Sequence, residues 1–190
     1  MTHLVHRSRM LIATLASLFL TLAAIAMPSA TFAQATPTAD GSIEILGAVT
    51  TPGPITVAEI QTLPTETIDV TFTSGGEPQE HTYVGTSLLG VLEHIGLAFP
   101  EDAKNPWLSH YIVITANDGY QVILGGGELD PAFGNTAVYL AWEEDGAALE
   151  GTDGPLRLVV PGDTKGGRYV TGIVSIDILA VGEAAATPVA

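Results

Sequence analysis

The chain has no cysteine among its 190 residues. Disulfides, thiolate zinc sites, cysteine nucleophiles and a cysteine-linked lipid anchor are thereby excluded. Positive charge is almost as scarce, with six Lys plus Arg against 21 Asp plus Glu and a formal net charge of −15. Such a surface repels nucleic acid and anionic lipid, so neither is expected as a partner. Common catalytic signatures are missing too. "GDTKGG" is no phosphate-binding P-loop, because Lys165 precedes Gly rather than Ser or Thr, and no G-x-S-x-G elbow occurs. His81, His94 and His110 lack the paired spacing of metal ligands and read as solvated or helix-end residues, so no metal site is expected. The acidic "AWEEDGAALE" lacks the oxygen-ligand spacing of a calcium loop and reads as a solvated hairpin turning at Asp145-Gly146.

The one long apolar run lies at the N-terminus. His3, His6, Arg7 and Arg9 form a basic start, Met10 to Met27 is apolar but for three hydroxyl residues, and small residues around Ala33 and Ala35 follow. That is the layout of a secretory signal peptide over residues 1–35. The alternative is an uncleaved anchor, since 18 apolar residues can just span a bilayer. Arg7 and Arg9 are separated by Ser8, so the pair is not a clean twin-arginine signal. Cleavage would leave an extracytoplasmic protein, secreted, periplasmic or at the cell surface, without stable membrane insertion. About 155 residues would remain, enough for one domain held by its core alone.

"ATPTADGS" supplies a linker at 36–41, and 182–190 reads as a flexible tail. Between them, at 42–181, β-branched and aromatic runs recur between Gly, Pro, Asn and Asp: "SIEILGAV", "TIDVTFT", "EHTYVG", "YIVITA", "YQVILG", "AVYLAW", "LRLVV" and "IVSIDILAV". "TIDVTF" and "IVSIDI" alternate like half-buried strands, whereas "YIVITA" and "AVYLAW" read as buried on both faces. Thr56 and Glu59 predict a capped short helix to about Leu63, stopped by Pro64. Leu88, Val91, Leu92 and Ile95 share one face of a second helix that Gly96 ends. The fold class is α+β, β-rich, a single domain with few short helices.

Against so acidic a background, "PGDTKGGRYVTG" stands out. Arg157, Lys165 and Arg168 are three of the four basic residues beyond the signal segment. Glycine lets backbone N–H groups approach an anion, and arginine supplies a planar fork for phosphate. The stretch is a candidate anion site. The alternative is an ordinary turn whose basic side chains pair with Asp153 or Asp163.

The order of motifs resembles the molybdopterin-binding domain of the sulfite-oxidase-type oxidoreductases over about residues 42–181. The resemblance rests on "YVGTSLLGVLEHIGL", "ITANDGYQVIL", "VYLAWEEDGAALEGTDGPLRLVVPG" and "GGRYVTGIVSIDI", together with "VTFTSGGEP". It implies that fold and a molybdopterin cofactor or other small anionic ligand. Gly166, Gly167 and Arg168 would lie at the pterin phosphate, with Lys165 and Thr171 nearby, and Tyr120 on the substrate side. It also places Ser74, followed by Gly75 and Gly76, where the family has its molybdenum-binding thiolate. Thr171 and Gly172 stand where Lys-Trp is frequent, and Asp153 where a His is common. A serine alkoxide is a harder ligand than a thiolate. Ser74 read simply as a turn residue is the alternative. With only two arginines beyond the signal, sulfite oxidation is not expected, nor is tightly bound molybdenum. The resemblance therefore points to an exported, molybdopterin-binding-like protein, an oxidoreductase if active. The other reading is a non-enzymatic extracytoplasmic binding or interaction module that reuses the fold without cofactor.

Overall fold

The computed structural model describes residues 41–182. The signal-peptide segment, all but the last residue of the linker and all but the first of the tail lie outside them. The described chain opens with β1 (Ser42–Gly47), β2 (Gly53–Thr56) and the single turn α1 (Val57–Ile60). A long hairpin follows, β3 (Glu66–Ser74) and β4 (Glu77–Ser87), leading into α2 (Leu88–Ile95). Then come β5 (His110–Ala116), β6 (Gln121–Gly125) and α3 (Gly126–Leu129). The order closes with β7 (Tyr139–Glu144), β8 (Ala147–Ala148), β9 (Arg157–Val159) and β10 (Ile173–Ala180).

These strands make two sheets. One runs β2-β1-β10-β5-β6; the other runs β3-β4-β7-β8, with β9 also paired to β7. The first and last strands, β1 and β10, pair in parallel. Register explains the core. Ile45, Ile176, Ile114 and Val122 stand opposite one another across four strands, as do Ile178, Ile112 and Leu124 across three. All join one cluster with Leu140 of β7, Leu158 of β9 and the inner face of α2. A second, smaller cluster (Ile68, Val70, Phe72, Tyr83, Ala141, Val159, Tyr169) gathers around residues of the other sheet.

The helices follow their sequence signals. Ser87 caps α2 by accepting from the Gly90 N–H, Leu88, Val91 and Leu92 are buried, and Gly96 ends it at φ 85°. Each buried Leu or Val contributes roughly 1.5–3 kcal/mol by leaving water. Thr56 accepts from the Glu59 N–H as the box predicts, but the Glu59 carboxylate turns to His94, 3.2 Å away. The helix ends at Ile60, and the turn to Leu63 continues on tighter bonds, Thr62 to Glu59 and Leu63 to Ile60.

Two expectations are corrected. β10 is buried on both faces rather than alternately, as a central strand between β1 and β5. His110 does stand at a helix end, closing the 3-10 turn Pro106–Ser109, but it is buried rather than solvated, with its Nδ1 2.7 Å from the Pro106 carbonyl. α3 was not foreseen, because "GGGEL" has poor helix propensity. Its entry is held by the Gly125 N–H donating to Glu128 at 2.9 Å.

Candidate functional site

β3 runs out at Ser74, and Gly75 and Gly76 turn the chain at φ 60° and 90°. Such values are cheap only for glycine. The loop 161–172 lies along this strand end. The Thr73 N–H donates to the Thr164 carbonyl at 3.0 Å, and Thr73 bridges Lys165 in parallel. Gly166 is pressed against the Phe72 ring: a Cβ there would stand 3.0 Å from the ring and 3.5 Å from the Ser74 Cβ. The Tyr120 hydroxyl donates to the Gly167 carbonyl at 2.9 Å. Residues from three distant stretches thus meet: Ser74, Lys165-Gly166-Gly167 and Tyr120. Ser74, Gly75, Gly76, Lys165, Gly167 and Tyr120 are all exposed. Thr171 is half-buried beyond them, before Gly172, whose φ of 60° and backbone bonds to Asp153 and Asn117 fix the loop's exit.

The charges divide unevenly. Arg168 grips both oxygens of Asp163 at 2.8 and 2.7 Å and reaches Glu128 at 3.0 Å with its remaining nitrogen. The hydrogen bonds to Asp163, opposed in part by burial, push its pKa above the ordinary arginine value. Arg157 pairs with Glu144 and lies over the Tyr83 ring, 5.5 Å from its centre. The pairing alternative read from sequence therefore holds for Arg168 and Asp163. Of these three basic residues, Lys165 alone keeps an exposed charge with no carboxylate partner among the described residues.

Where the motif resemblance sets a pterin phosphate, the residues present fit in part. Lys165 is free, and a Cβ at Gly167 would meet nothing within 4 Å, so an anion can approach the backbone there. Arg168 holds its neighbourhood rigid rather than offering a vacant fork. Molybdenum fits poorly. The side chain that the resemblance sets at the thiolate position, Ser74, is a hydroxyl, a hard donor whose deprotonation is far more costly than that of a thiol.

Behind the loop, Tyr169 stacks on Phe72 at 4.1 Å and 22°, and its hydroxyl donates to the Val160 carbonyl at 3.1 Å. Burial raises the Tyr169 pKa. Beyond that stack lies a cluster that sequence reading missed. His81 Nδ1 stands 3.1 Å from Glu144 and 2.8 Å from Asp145, at the turn of the β7–β8 hairpin. The only sequence signal was Asp145-Gly146, which does form the hairpin turn at φ 51° and 81°. Pairing of β4 with β7 brings the histidine to it, and no local spacing could say so.

Residues 32–182 match the oxidoreductase molybdopterin binding domain family. The chain belongs to that family. In structure it is similar to the sulfane dehydrogenase SoxCD of Paracoccus pantotrophus, with a TM-score of 0.58 at 21% identity. The match covers 76% of this chain and 40% of that one, and establishes a shared fold. A stretch of 55 residues is also 44% identical to the mitochondrial adenyl nucleotide antiporter SLC25A24 of Danio rerio. It spans 28% of this chain and only 12% of the antiporter. Among the described residues, no helix is long and apolar enough to cross a membrane. The fold expected from the motifs is the one found: strand-rich, one domain, few short helices and the sulfite-oxidase-type architecture.

Proposed function

We propose that this is an exported member of the molybdopterin-binding family that keeps an anion site at the pterin-phosphate position and has lost the standard molybdenum ligand. Lys165 carries the reading. It is the one basic side chain of the loop left without a carboxylate, and it sits two residues from the open backbone of Gly167. Ser74 lies against Gly166, so the position the family gives to its thiolate adjoins the anion site. Tyr120, tied to Gly167, would face whatever small molecule is held there. A bound pterin would supply redox chemistry only with a metal, for which this chain offers a hydroxyl. The residues themselves bind, orient and screen an anion. The partner is a small anionic ligand or pterin, not nucleic acid and not a membrane.

The test uses protein purified from its own host outside the cytoplasm. Elemental analysis should find molybdenum far below one atom per chain, while oxidised pterin fluorescence or phosphate titration should reveal a bound anion. Near-stoichiometric molybdenum would overturn the reading and restore an oxidoreductase. Neither pterin nor phosphate binding would leave a cofactor-free interaction module. N-terminal sequencing of the same material should start near Gln34 or Thr36; an intact residue 1–30 segment would mean an anchor.

A further inference from the structure

We propose that His81, Glu144 and Asp145 form a binding site for a borderline divalent cation of the zinc type, separate from the anion site and independent of the function proposed for it. One nitrogen and two carboxylate oxygens from these side chains lie within 4.8 Å of one another. His81 Nδ1 is 3.1 Å from the Glu144 oxygen and 2.8 Å from the Asp145 oxygen. Ligand atoms bound at about 2.1 Å to one ion are separated by roughly 3.0–3.4 Å, so the two His81–carboxylate separations need shifts of a few tenths of an ångström. The two carboxylate oxygens, within 4.8 Å of each other, close by side-chain rotation.

The site is also held from behind. Asp145 uses its other oxygen, Oδ1, to accept from the Thr82 N–H at 2.9 Å. Glu144 uses Oε2 to hold the Arg157 guanidinium. Each carboxylate therefore presents one oxygen to His81 while its second is anchored, which is how outer partners orient metal ligands. Tyr83 donates to the presented Glu144 oxygen at 3.2 Å, and that oxygen has a second lone pair for an ion. His81 sits mid-strand in β4 and Glu144 ends β7, so paired strands fix their spacing.

Access and field favour a cation. A depression of about 370 Å³ borders the cluster, lined by His81 and Asp145 and also by the acidic Asp69 and Glu80. The chain's charge of −15 adds to the attraction. An imidazole with two carboxylates suits zinc, copper or nickel, whereas magnesium and calcium prefer oxygen alone. Water would complete the coordination. The anion site and this cluster both border Phe72, with Gly166 against its ring and the His81 ring centre 5.9 Å from the Phe72 ring centre.

The experiment titrates the full chain with zinc chloride and reads the His81 ring by NMR, so that zinc taken up by other histidines does not count. The His81 resonances should shift and saturate at one zinc per chain, with no response to equal magnesium. Asp145→Asn should weaken this binding by at least about tenfold. Asn tolerates the left-handed turn and still accepts from Thr82, so a cooperative thermal transition that stays well above the titration temperature separates ligand loss from unfolding. His94→Ala should change nothing. A His81 ring silent to zinc would overturn the proposal, as would equal affinity in the Asp145→Asn protein or an equal response to magnesium.

Discussion

The loop 161–172 and the β7–β8 hairpin (Tyr139–Ala148) each hold an arginine against carboxylates, yet they leave opposite remainders. In the loop, Asp163 and Glu128 absorb Arg168, and the unmatched group is the cation Lys165. In the hairpin, Arg157 takes one oxygen of Glu144, and what remains is carboxylate oxygen around an imidazole. The charge left over is therefore positive in one region and negative in the other. Net charge could not have said this. Ligand sign is decided by which charges stay unpaired, and only the tertiary structure does the pairing.

The stack is common to both regions, so breaking it should have the largest effect. Tyr169 is buried and lies between Phe72, Tyr83 and the Arg168 segment. Tyr169→Ala should cost about 3–5 kcal/mol in urea unfolding, the range for losing a buried aromatic. Tyr169→Phe keeps the ring and loses only the bond to Val160, costing about 1 kcal/mol. Similar costs for the two would mean that the hydroxyl, not the stacked ring, joins the regions.

Next come the arginines themselves. Arg157 is 18% exposed and Glu144 20%, so Arg157→Ala leaves a mostly buried carboxylate facing Tyr83. A fully buried pair costs 3–5 kcal/mol to break. Here the Arg157 Nε is itself buried without a partner, which offsets part of the gain. The expected loss is about 2 kcal/mol. Arg168 and its two partners are wetter, at 30%, 22% and 42%, and Arg168→Ala should cost about 1 kcal/mol. Chemical denaturation of both variants checks the order; a larger loss for Arg168→Ala would reverse the contrast drawn between the regions.

How much of this was legible beforehand depends on the range of the interaction. The α2 stripe, the Gly96 stop, the Thr56 cap and the Asp145-Gly146 turn are local patterns, and each is where the sequence put it. β10 was misjudged because "IVSIDI" carries polar Ser175 and Asp177 on one face, and alternation normally means solvent on that side. Burial of those two residues follows from a central place between β1 and β5, which periodicity does not encode. The candidate anion site was half legible. Glycine and lysine marked it, and the motif order tied Ser74 and Tyr120 to it, but Arg168's engagement with Glu128 crosses from α3 and left no trace in spacing. The His81 cluster left almost none, since its side chains come from strands joined only by pairing.

A smaller effect tests the hairpin by pH. The Thr82 N–H and then His81 hold the Asp145 carboxyl below its ordinary value of 3.8. A depressed carboxyl stabilises the fold above its unfolded pKa, and that contribution fades as pH falls through the folded one. The advantage of the native chain over Asp145→Asn should therefore be constant from pH 6 to 5. It should shrink as pH drops through and below 3.8. Thermal melts of both proteins across that window give the answer. A constant difference down to pH 2 would mean that the carboxylate charge plays no part in holding the turn.

The least effect on stability is expected at Lys165, and there the contrast is sharpest. Its side chain is exposed and has no partner among the described residues, so Lys165→Ala should leave unfolding unchanged within about 0.5 kcal/mol. A charge-assisted bond to an anion, by comparison, is worth about 1.5–3 kcal/mol. If Lys165 is the loop's working charge, phosphate binding should weaken by that amount, roughly 10- to 100-fold, with the fold intact. Arg168→Ala provides the counter-measurement. It disturbs the loop while removing a guanidinium already matched by Asp163 and Glu128, so it should lower stability more than Lys165→Ala and affinity less. Calorimetric phosphate titration beside thermal melts of both variants separates the two roles. A Lys165→Ala protein with native affinity, or one that loses stability as Arg168→Ala does, would show that the free charge of the loop is not what receives the anion.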